Sequence, residues 1–154
     1  MLQLKTLSLL FIVFLSSTNL SEIRSLYVEL TTSKAKQKAF VAYMQKTDTA
    51  TPILQAYKGA SYILQSKTTS ERKLRKQFFM KGAKLIDNAA VKEPGNIEIR
   101  LIRLSIQENI PKALGYNANI LDDVAQIREG LKNITDAELK QYIARYIKQS
   151  KSFK

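Results

Sequence analysis

The 154-residue sequence contains no cysteine and no histidine. Without cysteine, the protein has no disulfide bonds and no thiolate that could bind a metal ion or attack a substrate. Without histidine, it lacks the commonest transition-metal ligand and the side chain that most often acts as a general base near neutral pH. These absences exclude the usual zinc sites and imidazole-assisted nucleophiles, and they mean that packing alone has to stabilise the fold.

Other catalytic patterns are incomplete. Ser70 and Lys73 have the Ser-x-x-Lys spacing of some acyl-transferring hydrolases, but the Ser-Asp-Asn and Lys-Thr-Gly elements of those enzymes are missing. Asp122 and Asp123 are paired acids, yet adjacent helical residues diverge, and acids are favoured in the first turn of a helix by its dipole. We interpret this pair as a helix start. The sequence therefore predicts a non-enzyme with no catalytic residues, no cofactor and no metal site.

Interruptions of regular structure are also few, with five glycines and three prolines. No segment alternates with period two over a useful length, whereas apolar residues recur with the period of 3.6 that is typical of amphipathic helices. About seven such segments follow one another with short turns between them, which indicates antiparallel neighbours. We predict one all-α domain over residues 19–154, built as a stack of about seven antiparallel helices.

The first eighteen residues have a different character from the rest. Lys5 precedes an apolar run from Leu7 to Leu15, and Ser16, Ser17 and Thr18 follow it. This order of a basic residue, an apolar stretch and small residues is typical of a secretory signal peptide, and the run is too short for a membrane span of ~20 residues. We predict that residues 1–18 are a signal peptide cleaved near Thr18, and that the mature protein is periplasmic or secreted.

Acidic residues are outnumbered, with 13 Asp and Glu against 25 Lys and Arg and a formal net charge of +12. Most of the basic residues are lysines, which more often solvate a surface than read phosphate bidentately, so the charge does not favour nucleic acid as a partner. The densest basic run includes a candidate anion surface of Arg72, Lys73, Arg75 and Lys76. It is either a solvated helix face or a surface for an anionic polymer or lipid.

The stretch 97–107 is apolar on two sides. On a helical wheel, one strip contains Ile97, Leu101 and Leu104, and a second strip on the far side contains Ile99, Ile102 and Ile106. A helix with two apolar faces is expected to be buried between two neighbours. We predict that this helix lies in the middle of the stack.

Arg100, Arg103 and Gln107 fall together between these strips. Two interpretations are open. The arginine stems can lie along apolar surface with their heads paired to carboxylates of neighbouring helices or to solvent. Alternatively, the three residues form a candidate partner-binding groove that grips a partner's carboxylate, for which guanidinium groups are well suited.

Residues 51–94 resemble a helical hairpin of the tetratricopeptide repeat. Gly82, Ile86, Ala89 and Pro94 match the small, large apolar, small and proline positions of the repeat's second helix, while Gly59 and Tyr62 match the small and aromatic positions of its first. The two glycines stand further apart in sequence than in the repeat. If both helices have grown by about one turn, the glycines still lie opposite each other, and a close backbone approach would explain their presence within helices.

The stretch 98–116 resembles a motif of short, functionally uncharacterised exported proteins of Gram-negative bacteria, a resemblance that implies no site residues. Together, these features predict an exported, non-catalytic protein–protein interaction module with an unidentified protein partner in the cell envelope. The alternative function is electrostatic binding to anionic envelope polymers or lipid surfaces.

Overall fold

A computed structural model describes residues 19–154. Within this range the chain forms seven α-helices and no strands, which confirms the predicted all-α class and the number of helices. The helices are α1 (Leu20–Val28), α2 (Lys34–Lys46), α3 (Pro52–Thr68), α4 (Arg72–Lys92), α5 (Ile97–Glu108), α6 (Ile120–Gly130) and α7 (Ala137–Gln149). Short 3₁₀ turns lie at Glu29–Thr31, Lys112–Leu114, Leu131–Asn133 and Lys151–Phe153. The predicted signal peptide lies outside the described residues.

Helices α3 and α4 pack against each other through their glycines. A Cβ atom on Gly82 would lie 2.5 Å from the carbonyl oxygen of Gly59 and 2.8 Å from Cγ1 of Ile63, and one on Gly59 would lie 2.7 Å from Cγ1 of Ile86. Only residues without a side chain permit this backbone approach. In α3, Gly59 precedes Ile63. Gly59 lies beside Ile86, the later residue of α4, and Ile63 lies beside Gly82, the earlier one, so the two helices run antiparallel. The predicted contact of the two glycines is confirmed.

Helix α5 lies between the two hydrophobic cores of the domain. Its strip of Ile99, Ile102 and Ile106 belongs to the core formed with α1 to α4. Its strip of Ile97, Leu101 and Leu104 belongs to the core formed with α6 and α7. Every residue from 97 to 104 is buried. The predicted central position of this helix is therefore confirmed.

Helix starts are fixed by a few local contacts. Asn96 caps α5 by accepting hydrogen bonds from the backbone N–H groups of Glu98 and Ile99 at 3.1 and 3.3 Å. Pro52 occupies the first turn of α3, where its missing N–H costs little.

Across residues 19–154, no helix combines the length and the apolar character needed to cross a membrane.

Candidate functional site

The two arginines of α5 are held by carboxylates of the same chain. Arg103 donates two hydrogen bonds to Asp123, from Nε to Oδ2 at 2.8 Å and from Nη2 to Oδ1 at 2.6 Å. Nη1 of Arg100 donates to Asp122 at 2.7 Å and to Asp123 at 3.0 Å. Arg100 also donates from Nε to the carbonyl oxygen of Pro94 at 2.8 Å. The cluster ties α5 to the first turn of α6.

This arrangement decides between the two interpretations of the polar stripe. Arg100, Arg103 and Gln107 are all buried, and both guanidinium groups already bind carboxylates. Neither arginine is left to grip a partner's carboxylate, as the groove hypothesis required. The amide of Gln107 is buried without a hydrogen-bond partner among the described residues.

A second buried ion pair lies on the opposite side of α5. Nε and Nη2 of Arg24 each donate to one oxygen of Glu98 at 2.8 Å, and the hydroxyl of Tyr57 donates to the same carboxylate at 2.7 Å. Hydrogen bonding to Glu98, which outweighs the opposing effect of burial, raises the pKa of the Arg24 guanidinium. Sequence patterns do not indicate this pair, because its members lie 74 residues apart.

An open cleft of about 660 Å³ lies between the α1–α2 connection, α3, the end of α5, and α7. Most of its surface is apolar or aromatic, contributed by Tyr27, Val28, Leu30, Ala60, Ile63, Leu64, Ile106, Tyr142 and Tyr146. Four cations also line it, namely Lys34, Lys67, Arg145 and Lys151. The sequence did not predict this cleft, because its walls come from elements that are distant along the chain.

Glu108 is the only acid among the described residues that line the cleft. Its Oε1 accepts hydrogen bonds from Oγ of Ser150 at 2.6 Å and from the backbone N–H of Ser152 at 2.8 Å, and its Oε2 accepts one from the hydroxyl of Tyr146. Burial favours a higher pKa, but these hydrogen bonds outweigh it and hold the pKa of Glu108 below its ordinary value. The carboxylate therefore fastens the C-terminal segment to α5.

The four cations of the cleft have no ion-pair partner within residues 19–154. Lys67 donates from Nζ to the carbonyl oxygen of Asn109 at 3.1 Å, and burial lowers its pKa. Glu29 and Glu138 line a neighbouring cavity of about 210 Å³ that also touches Arg145. Glu29 is engaged by Lys36 at 2.7 Å, and Glu138 accepts from Ser21 at 2.5 Å. The lining of the cleft consequently carries an excess of positive charge, with four cations against Glu108.

The candidate anion surface lies elsewhere, at the N-terminal end of α4. Arg72, Lys73, Arg75 and Lys76 are all exposed. Arg75 donates to the carbonyl oxygens of Thr69 and Ser70 at 3.3 and 3.2 Å. Within the described range none of the four basic residues pairs with a carboxylate. They form a positively charged helix end.

No group of three or more Asp and Glu side chains in the described residues could hold a metal ion. Comparison with protein-family models, with curated proteins and with solved structures gives no match. The cleft and the basic end of α4 are thus the two candidate functional surfaces among the described residues.

Proposed function

We propose that this protein is a non-catalytic interaction module that holds a segment of a protein partner in the cleft between the α1–α2 connection, α3 and α7. The observation that carries the proposal is an open cleft of about 660 Å³ with a largely apolar lining. Binding pockets commonly have about 300–1,000 Å³ and a mainly apolar surface with a few polar groups. Partly exposed apolar side chains that share one concavity are a frequent mark of an interaction site.

Buried core side chains form the base of the cleft. Its floor contains Ile63 and Ile106, which are 1% and 9% exposed and belong to the core that α5 forms with α3. A preformed surface costs less to order on binding than a mobile one. The ionised carboxylate of Glu108 holds the C-terminal segment through hydrogen bonds, so the one acid among the described lining residues has a structural role. These features support binding and give no support to catalysis.

Position-resolved crosslinking in cells tests this proposal. Because the sequence contains no cysteine, a single introduced thiol carries a photo-crosslinker unambiguously. Val28 on the cleft wall is 46% exposed, and Met80 on α4 outside the cleft is 58% exposed, so Val28→Cys and Met80→Cys form a matched pair. We expect a discrete protein adduct from position 28 only. Equal adducts from both positions, or none from position 28, would refute the proposal.

A second candidate function is electrostatic binding to anionic envelope polymers or lipid. The exposed cations at the start of α4 favour it, because they add to the positive end of the helix dipole. Vesicles containing phosphatidylglycerol are the probe. Binding by this surface should fall steeply within a few hundred millimolar salt and should be lost on changing Arg72, Lys73, Arg75 and Lys76 to glutamine. Salt-resistant capture of a protein would favour the cleft instead.

The interaction is proposed to take place outside the cytoplasm. The order of Lys5, the apolar run and the small residues that end at Thr18 supports export, as signal peptides share this pattern. The mass of the protein recovered from the periplasm or medium measures the cleavage site directly. We expect a chain that begins near Asn19, and full-length protein in the cytoplasm would contradict export.

A further inference from the structure

We infer that the partner segment in the cleft is acidic as well as amphipathic, with apolar side chains against the floor and carboxylates against Lys34, Lys67, Arg145 and Lys151. This inference rests on the proposed function and specifies the chemistry of the partner. It depends on the charge balance of the cleft and on the spacing of its cations.

The charge balance is one-sided. Four cations line the cleft without a carboxylate within 4.0 Å of their nitrogen atoms, against one acid among the described lining residues, Glu108, whose oxygens already accept three hydrogen bonds. Elsewhere in the described chain the buried arginines are all matched by acids. Unpaired cations also lie at the start of α4, but a segment held against the apolar lining of the cleft would meet this excess of positive charge directly. An acidic partner complements it, and a basic one would be repelled.

The cations sit on separate elements. Lys34 begins α2, Lys67 lies in the last turn of α3, and Arg145 and Lys151 belong to α7 and the turn that follows it. The extended residue Ser150, which ends α7, separates Arg145 from Lys151. Cations distributed in this way match several carboxylates along a peptide better than the one headgroup of a lipid.

The apolar lining sets the form of the segment. A helix that exposes apolar residues at i, i+3, i+4 and i+7 presents a continuous stripe for a hydrophobic groove, and its flanks remain available for charged residues. Lys67 has a particular part in such a complex, since burial lowers its pKa and its ammonium group donates to the carbonyl oxygen of Asn109 and to no other group within residues 19–154. A partner carboxylate would compensate this partly desolvated ammonium group.

Three synthetic peptides test the inference. Each has about 14 residues, roughly four helical turns, with the same leucine stripe and with either Glu, Gln or Lys on its flanks. Binding is measured by fluorescence anisotropy at physiological ionic strength. We expect the Glu peptide to bind at least about tenfold more tightly than the Gln peptide, a difference of about 1.4 kcal/mol, and the Lys peptide to bind most weakly.

Two double variants assign the charge effect to the cleft. Lys67→Gln with Arg145→Gln removes two cations from the cleft, while Lys73→Gln with Lys76→Gln removes the same charge from α4. We expect only the first to weaken the preference for the Glu peptide, because two of the four cations of the cleft are lost. Circular dichroism and the melting temperature check that both variants fold.

The outcomes separate this inference from the proposed function. Equal binding of the Glu and Gln peptides would overturn the acidic partner and leave a cleft for uncharged apolar segments. Failure of all three peptides would also overturn it, while crosslinking from position 28 would still decide the proposed function. Phosphatidylglycerol vesicles that displace the Glu peptide, and bind less to the Lys67 and Arg145 double variant, would assign the cleft to lipid.

Discussion

Replacing Asp123 by asparagine should destabilise the fold far more than the same change at its neighbour Asp122. Both carboxylates contact Nη1 of Arg100, at 3.0 Å and 2.7 Å respectively. They differ in environment, because the side chain of Asp123 is 0% exposed and that of Asp122 is 57% exposed. The pair therefore compares a buried with an exposed acid at adjacent positions, beside the same arginine.

The magnitude follows from what each acid holds. Asp123 accepts three hydrogen bonds from two buried guanidinium groups. In Asp123→Asn, Arg103 faces an amide with one oxygen to accept its hydrogen bonds and with an NH₂ group that is itself a donor. Loss of one partner of a buried ion pair typically costs about 3–5 kcal/mol. Asp122 forms a largely exposed pair, for which about 0–1 kcal/mol is typical. Arg103→Met should fall between the two, because Asp123 keeps its bond to Arg100.

Equilibrium unfolding in urea, followed by circular dichroism, measures all three variants. At about 3 °C per kcal/mol for a domain of this size, Asp123→Asn should lower the melting temperature by roughly 10–15 °C. A loss below about 1 kcal/mol for Asp123→Asn, or equal losses for the two aspartate variants, would show that the buried cluster does not hold α5 and α6 together.

Three further predictions concern stability. Gly82→Ala should destabilise the fold by about 1–3 kcal/mol despite better helix propensity, because the new Cβ would lie 2.5 Å from a backbone oxygen of α3. In the same melting assay, Gly95→Ala should be neutral, because a Cβ at that position would meet nothing within 4 Å. Tyr57→Phe should cost about 1.5–3 kcal/mol through loss of its hydrogen bond to Glu98, and an unchanged urea midpoint would contradict that bond. Burial raises the pKa of Glu108 but its hydrogen bonds lower it more, so the stabilisation it provides is complete above its ordinary value of 4.5 and disappears as pH falls through the lower folded-state pKa. Melting temperatures measured against pH should show this loss, and Glu108→Gln should flatten it.

The features that were predicted correctly from the sequence are those determined by one helix or by two helices joined by a short turn. The two apolar strips of α5 follow from the spacing of Ile97 to Ile106, and a helix with two apolar faces has to lie between two cores. The contact of Gly59 with Gly82 could be predicted because the short turn between α3 and α4 constrains the pairing of the two helices. Asn96 was a predictable cap for a similar reason, since a cap depends only on the first turn of its helix.

Features that depend on partners distant in sequence could not be predicted. The sequence placed Arg100 and Arg103 on one stripe, but only packing of α6 against α5 brings Asp123 to them. Asp122 and Asp123 were interpreted as a helix start, which is where they lie, but their role as counter-ions was missed. The sequence did contain a signal for these ion pairs. Two acids stand at the start of one helix, and the preceding helix carries two arginines on one face.

Local rules also failed where two similar residues compete. The spacing of Thr135 and Glu138 predicts a capping box, yet Asp136 caps α7 instead, and its carboxylate accepts from the backbone N–H groups of Glu138 and Leu139 at 2.9 and 3.1 Å. The spacing of Thr68 and Glu71 also fits a capping box, but α3 continues through Thr68 and α4 begins after Glu71. The spacing of candidate capping residues in the sequence does not by itself show where one helix ends and the next begins.

The most direct test of the central claim is whether the cleft is covered when the protein is in its own compartment. Val28→Cys and Met80→Cys report on the cleft wall and on α4, and the rate of maleimide alkylation of each thiol can be compared between purified protein and intact cells that produce it. Normalised to an unfolded control, alkylation at position 28 should be markedly slower in cells, while that at position 80 should be unchanged. Equal rates at position 28 in both settings, or slowing at position 80 alone, would contradict a partner held in the cleft.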